Sequence, residues 1–315
     1  MQKRLLIITS KSEKTVAWQE RERYVKEFCE GLEGLLDDTA VQYTTYDDLI
    51  FSVTDGEARI FDTQNNRDLK DVSMVHFKNW MYETEEAPVA ASYLKKHGVL
   101  FANTEVDMPV AAGKLSQMFR LGENGVAVPD TYYARRPALL EQAKANKLPA
   151  GLAFPYILKA TDGSRGDDNH LIRDFAQAVE VLESADPQKQ FIMQNFIAND
   201  GDYRFLFIGL EDKPLVFLRT AVAGSHLNNT SKGGNGTFVE LDTLPQEYLR
   251  QARKAAEILR REIGGVDIIV DKSTGKPYVL EVNGTPALAT GYGVDVKIKR
   301  FAAYLKYVLE QQEEE

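Results

Sequence analysis

The sequence predicts a mixed α/β and α+β protein, a parallel-sheet domain followed by two α+β subdomains. Three observations lead there. The chain has 315 residues, more than one compact core usually holds, so several domains are expected. Its first third alternates short apolar runs with amphipathic stretches, the pattern of a parallel sheet covered by helices on both faces. From Tyr156 onward the texture changes to strands, hairpins and Gly-rich turns in close order.

Taken in order, residues 5–8 form a short apolar run, read as a buried strand. Residues 16–36 have helical periodicity and end near Gly34, and 41–46 is a second strand. FSVTDGEARIF reads as a hairpin turning at Asp55-Gly56. Strands at 74–77 and 99–102 flank a helix at 88–96, closing a first domain over residues 1–105. A helix at 108–121, a strand within GVAVPDTYYA and a helix at 138–147 lead into YILKA, HLIR, DFAQAVEVLE and QFIMQNFI, the strand–strand–helix–strand of a second domain over 106–200. Residues 201–315 hold strands at 203–208 and 215–222 and a Gly- and Asn-rich loop at 224–236. A helix at 245–262, a hairpin of VDIIV and YVLEV, a helix at 294–309 and a frayed tail complete the third.

Composition narrows the function. Net charge is −9, from 47 acidic and 38 basic side chains, and a surface of that sign repels duplex nucleic acid unless a basic stripe overrides it. The densest basic run, 250–261, is interleaved with apolar residues and reads as a solvated helix face. A small-molecule or peptide substrate is expected instead. The single cysteine, Cys29, excludes an intramolecular disulfide and reads as an inert thiol. The apolar run in MQKRLLIITS is too short for a signal peptide, and no segment approaches the ~20 apolar residues that span a bilayer. A cytoplasmic protein, monomeric or homo-oligomeric, is the expectation.

The chemistry sits in five segments. VDIIV and YVLEVNG place Asp267 and Glu281 close together, with Asn283 on the same face as Glu281 because strand residues two apart share a side. Two carboxylates and an amide oxygen make a hard donor set suited to magnesium; the alternative is a turn-starting Asp267 and a half-buried Glu281. YILKATDGSRG ends a strand with Lys159 and continues into Gly163, Ser164 and Gly166, whose backbone N–H groups can approach phosphate. It is not a Walker A loop. QFIMQNFI brings Gln194, Asn195, Phe196 and Ile197 to a strand end, where backbone groups could meet an adenine edge, unless the segment is simply a core strand. Arg219 lies in an apolar strand and requires a partner: either an ion pair with Asp202, or the oxygens of a phosphate or carboxylate. Arg204 lies two residues from Asp202 on its strand, and Asn229 and Lys232 lie in the polar loop SHLNNTSKGGNG. The four histidines, 76, 97, 170 and 226, show no metal-binding spacing.

In this order the segments resemble the ATP-grasp superfamily, and its RimK-like branch of glutamate ligases most closely. EVNGTPAL is similar to the family's EVN-small-x-P signature. The resemblance implies a pre-ATP-grasp domain followed by two subdomains that grip ATP between them. It makes Lys114, ahead of GVAVP, and Lys159 the nucleotide lysines, and residues 163–166 the phosphate loop. Residues 194–197 become the adenine hinge and Asp202 a contact near the ribose. Arg219, Asn229 and Lys232 fall near the γ-phosphate and acceptor, and Asp267, Glu281 and Asn283 become the Mg2+ ligands, with Mn2+ as the alternative ion. Arg204, Arg219 and Lys232 are the candidate catalytic cations. The sequence departs from the family at Asp167–Asn169, where a glycine and an apolar residue are usual, at Asn195 in place of a frequent Glu, and at Leu227 in place of a polar residue. The implied reaction joins a carboxylate to an amine through an acyl phosphate, releasing ADP and phosphate. Two other readings stay open: a ligase crosslinking side chains of a ribosomal peptide, and a non-catalytic nucleotide-binding regulator.

Overall fold

The computed structural model describes residues 2–12, 17–108, 113–161, 168–210, 213–220 and 235–314. The first sheet is parallel. β1 (Lys3–Thr9) is followed by α1 (Trp18–Glu33) and β2 (Thr39–Thr45). A hairpin of β3 (Leu49–Thr54) and β4 (Glu57–Asp62), with short β5 (Arg67–Asp68), forms a separate three-stranded sheet. Its turn is the expected Asp55-Gly56, both residues left-handed at φ 52° and 80°, which matches the twist of a two-residue hairpin. Then come β6 (Met74–Lys78), α2 (Glu86–Lys96) and β7 (Leu100–Ala102). The order β2-β1-β6-β7 buries β1 between two neighbours, which is why its run LLII is apolar on both faces. α1 covers one face with Val25, Phe28, Cys29 and Leu32, spaced at helical intervals, and α2 covers the other with Ala87, Ala90, Ala91 and Leu94.

The second sheet is antiparallel. α3 (Lys114–Glu123) precedes β8 (Thr131–Tyr133), α4 (Arg136–Lys144), β9 (Tyr156–Ala160), β10 (Asn169–Ile172), α5 (Phe175–Ser184) and β11 (Phe191–Asn195). The order is β10-β9-β11-β8, with α4 and α5 packed together on its apolar residues. Asp174 caps α5 by accepting from the Gln177 amide at 2.8 Å.

The third sheet comprises β12 (Asp202–Ile208), β13 (Leu215–Thr220), β14 (Asn235–Val239), then, after α6 (Gln246–Ile258), β15 (Ile263–Val270) and β16 (Pro277–Asn283). α7 (Val294–Glu314) ends the chain. The order is β14-β13-β12-β15-β16. Alternation along β12 divides the labour: Phe205 and Phe207 pack on α6, while Leu206 and Ile208 join α7 and the first sheet in one shared core.

Four features differ from the sequence expectation. β14 occupies part of the expected polar loop, because pairing with β13 satisfies its backbone. α6 ends at Ile258 rather than 262: Arg260 turns left-handed at φ 53°, and its carbonyl accepts from the Glu105 amide at 3.2 Å. α7 runs on to Glu314 rather than stopping at 309, since nothing in its last turns breaks a helix. α3, expected within the second domain, packs through Met118 and Leu121 into the core of the third sheet, which Ile192 of β11 also joins.

Candidate active site

The third sheet places charged residues in register on one face. Asp202 pairs opposite Arg219, Arg204 opposite Asp267, and Asp267 opposite Glu281. Beyond Asp267 the register of β15 and β16 shifts by one residue, so that Ile268 faces Val279 and both return to the apolar side. Gly201 precedes Asp202 at φ 148°, and a Cβ there would come within 2.5 Å of the Arg219 carbonyl oxygen; only glycine lets the strands approach at this corner.

Arg204 donates to both carboxylate oxygens of Asp267, from Nε and Nη2, each at 2.7 Å. Arg219 donates to both oxygens of Asp202 and, through Nη2, to Asp267 Oδ2 at 2.9 Å. The pairing with Asp202 is the ion-pair alternative raised for Arg219; Asp202 is only 3% exposed and faces that guanidinium. Burial pushes the Asp202 carboxyl up to about 6, with Asp267 adding to the rise and Arg219 opposing it. Burial also opposes the charge of Asp267, yet Arg204 and Arg219 hold it below the usual carboxylate range. Arg219, itself buried, is raised by the two aspartates.

The magnesium donor set fits this arrangement. Asp267, Glu281 and Asn283 offer only oxygen donors from one sheet face, the chemistry that hard divalent cations prefer. The Asn283 amide donates to Glu281 Oε1 at 2.9 Å and accepts from Arg204 Nη2 at 3.1 Å in its satisfied orientation. The arginines occupy three of roughly four acceptor directions of Asp267, leaving one on Oδ1. Glu281 is half-buried, and its Oε2 accepts no hydrogen bond from the described residues.

The lysines come from β9 and from the start of α3. Lys159 lies in β9: burial pushes its ammonium down to about 8, while Glu281 and Asp267 pull it up and Lys114 pushes it down. The charges of these four groups thus act on one another. Lys114 begins α3, its amide donating to the Thr161 carbonyl at 3.3 Å. At the expected hinge, side chains are committed to structure. Gln194 donates to Thr131 Oγ1 at 2.8 Å, and Asn195 donates to the Gly151 carbonyl at 3.0 Å and to Asp130 at 3.2 Å. Phe196 and Ile197 are half-buried beyond the strand end. Gly163, Ser164, Gly166, Asn229 and Lys232 lie outside the described residues.

Several residues that sequence reasoning missed hold this site. Asn103, wholly buried after β7, donates to the carbonyls of Ile263 and Gly284 at 2.9 and 2.7 Å and accepts from the Ile263 amide at 2.7 Å. It thus ties the start of β15 to the end of β16. Arg261, also wholly buried, pairs with Glu105 and donates to the Val282 carbonyl, between Glu281 and Asn283. Gln117 of α3 accepts from the Val282 amide at 3.0 Å. Lys297 donates to the carbonyls of Ala287 and Thr290, each at 2.6 Å, pinning the loop after Asn283; burial pushes its ammonium down to about 8 and Arg204 adds to the fall. The available signal was a charge inside an apolar run, as in ILRREIGG, where a lone buried cation demands a partner.

Residues 111–305 match the RimK-like ATP-grasp domain, more than half of the chain. The chain belongs to that family. A probable alpha-L-glutamate ligase of Shewanella denitrificans is 31% identical over 195 residues, which is 61% of this chain and 62% of its own length. The match thus spans a little under two thirds of that relative. Two solved structures share the fold at 15% identity. D-alanine–D-alanine ligase of Bacillus anthracis, complexed with ATP, covers 99% of each chain at a TM-score of 0.66. The ATP-grasp ligase PsnB, complexed with a minimal precursor, Mg and ADP, covers 98% of this chain and 96% of its own at 0.63.

Proposed function

We propose that this protein is an ATP- and Mg2+-dependent ligase joining a carboxylate to an amine, both from small molecules or peptides, through an acyl phosphate. The observation that carries this is that α3 links Lys159 to the carboxylates: the Lys114 amide bonds the Thr161 carbonyl, two residues after Lys159, and Gln117 bonds the Val282 amide beside Glu281, while the charges of Lys114, Asp267 and Glu281 all act on Lys159. Cations that bind phosphate lie opposite carboxylates that bind a divalent ion. Asp267, Glu281 and Asn283 would hold Mg2+, or Mn2+ of similar oxygen preference, which when bound neutralises phosphate charge. Lys159 and Lys114 bind the phosphates as point charges. The backbone of 194–197 reads the adenine edge, and this suits a hinge whose Gln194 and Asn195 side chains are already bonded elsewhere.

The protein contributes positioning and charge, because phosphoryl transfer needs little covalent help. A carboxylate oxygen of the donor attacks the γ-phosphorus and the bond to ADP breaks. The amine then attacks the acyl carbon, phosphate leaves and the nitrogen loses its proton. Arg204 and Arg219 stand on the face where negative charge develops. Both are already bonded to carboxylates, so their guanidiniums are oriented before substrate arrives. Asp202, Asn229 and Lys232 complete the proposed nucleotide and acceptor contacts, and the phosphate loop comprises Gly163, Ser164 and Gly166. No described helix is long and apolar enough to cross a membrane, and a cytoplasmic site of action is proposed.

Isotope transfer tests the proposal. With the carboxylate substrate labelled in both oxygens, one label is expected in the released phosphate, and ADP as the nucleotide product. AMP with pyrophosphate, or label in AMP, would overturn the acyl-phosphate route. Substrate screening decides between free metabolites and a peptide, by which of them stimulates ADP release.

A further inference from the structure

The carboxyl edge of the first sheet carries a polar cluster that the phosphoryl chemistry does not use. In an open parallel sheet, ligands bind in the crevice beyond the carboxyl ends of the strands where the strand order reverses. The order β2-β1-β6-β7 puts that point between β1 and β6, where Thr9 ends beside Lys78. Just beyond, the hydroxyls of Ser10 and Ser12 both donate to Oε1 of Glu83, Ser12 at 2.7 Å. The Ser12 amide donates to Ser10 Oγ at 2.9 Å, which fixes the turn. The other carboxylate oxygen, Oε2, accepts no hydrogen bond from the described residues.

Two neighbours are left incomplete. Tyr46 and Trp80 are each only 6% exposed, yet the Tyr46 hydroxyl and the Trp80 indole N–H have no hydrogen-bond partner among the described residues. Thr45 pairs with Thr9, so Tyr46 follows β2 beside Ser10 at the same strand ends, and it shares a core cluster with Trp80; burial, and then the charges of Glu83 and Glu86, push its hydroxyl well above the usual range. Buried polar groups are normally paired, and exceptions mark sites completed by something else. A carboxylate with one free oxygen beside an unpaired hydroxyl presents two acceptors to one cationic donor group. The Trp80 N–H remains for an oxygen of the same molecule.

We propose that Glu83, Tyr46, Ser10 and Ser12 form a subsite for a primary ammonium group, belonging to an amino acid or a peptide amino terminus. Two strand spacings of ~4.8 Å separate β1 from β7, so the subsite lies roughly 10 Å along the sheet edge from Asn103. Asn103 bonds the Gly284 carbonyl, the residue after Asn283, so the same edge faces the metal-binding strands. Assignment of the ligand as the ligase's amine-bearing substrate rests on the function proposed above; the subsite itself does not.

The test titrates the whole protein with glycinamide, which carries an ammonium, and with N-acetylglycinamide, which does not. The Trp80 indole N–H resonance is followed at constant ionic strength and assigned with a Trp18→Phe variant. A saturable shift is expected with glycinamide alone. Its dissociation constant should rise at least tenfold in Glu83→Gln and at least threefold in Tyr46→Phe. Should Glu83→Gln not fold, Ser12→Ala, at an exposed position, should weaken binding at least twofold. Equal responses to both compounds, no saturable response, or glycinamide binding within twofold of wild type in a folded Glu83→Gln would overturn the subsite. Mg2+-dependent ADP binding, measured on the same samples, separates the outcomes. Its absence in the wild type would overturn the ligase reading and leave the subsite standing, and its retention beside failed glycinamide binding would do the reverse.

Discussion

With Lys159 in its proposed phosphate-binding role, substrate binding and protein stability pull on it in opposite directions. Its ammonium is pushed down to about 8 by burial, against an ordinary value of 10.5. Phosphate binding requires the charged form. Below pH 8 the lysine is already charged, and above it a proton must be taken up on binding. The ADP dissociation constant should therefore rise by up to about tenfold per pH unit above 8. In the ligand-free protein the sign reverses. Between pH 8 and 10.5 the unfolded chain holds this proton more tightly, so this group makes stability rise with pH in that window. Lys159→Arg, whose guanidinium stays charged, should flatten the affinity profile. A pH-independent wild-type affinity from 7 to 9.5 would remove Lys159 from the phosphate site.

At the scale of elements, the candidate metal site is a property of two paired strands and what grips them. Register alone sets Asp267 beside Glu281, but the spacing of β15 and β16 near Asn283 is fixed from behind. Arg261 holds the Val282 carbonyl and Gln117 holds the Val282 amide, so both backbone groups between two proposed ligands are tied. Gly284 packs against the same guanidinium, and a Cβ there would come within 3.2 Å of Nε. Arg261→Lys keeps a charge for Glu105 but loses the planar fork that reaches both Glu105 and Val282. The Mg2+ concentration for half-maximal ADP binding should rise about tenfold, while ADP binding without Mg2+ stays within twofold. An unchanged Mg2+ requirement in a folded Arg261→Lys protein would show that the clamp does not tune the site.

Across the whole molecule, the first sheet and the third are one cooperative body. Leu5 and Ile7 of β1 share a core with Leu206 and Ile208 of β12 and with Phe301 and Leu305 of α7. Asn103 adds three buried hydrogen bonds between them. Asn103→Ala would leave the Ile263 amide and the carbonyls of Ile263 and Gly284 short of partners. Each unpaired buried group costs about 1–3 kcal/mol, so a loss of about 3 kcal/mol is expected in urea unfolding, through a single transition. A loss under about 0.5 kcal/mol would mean that the junction relaxes around the smaller side chain.

The sequence by itself determined the order of strands and helices, the Asp55-Gly56 turn, and the proposed site residues of β9, β15 and β16. Apolar periodicity, turn residues and charges stranded in apolar runs are local signals, written within a few residues of one another. It could state that Arg219 needed a partner, but not whether that partner was protein or ligand. Only the tertiary structure supplied the protein partners, by bringing Asp202 and Asp267 across three strands to the same guanidinium. It also decided that α3 packs into the core of the third sheet and that Asn103 and Glu105 reach Ile263 and Arg261, more than 150 positions away. Such pairings leave no periodic trace, because the need to satisfy a buried polar group is fixed by sequence, whereas the identity of the group that satisfies it is fixed by how the chain packs.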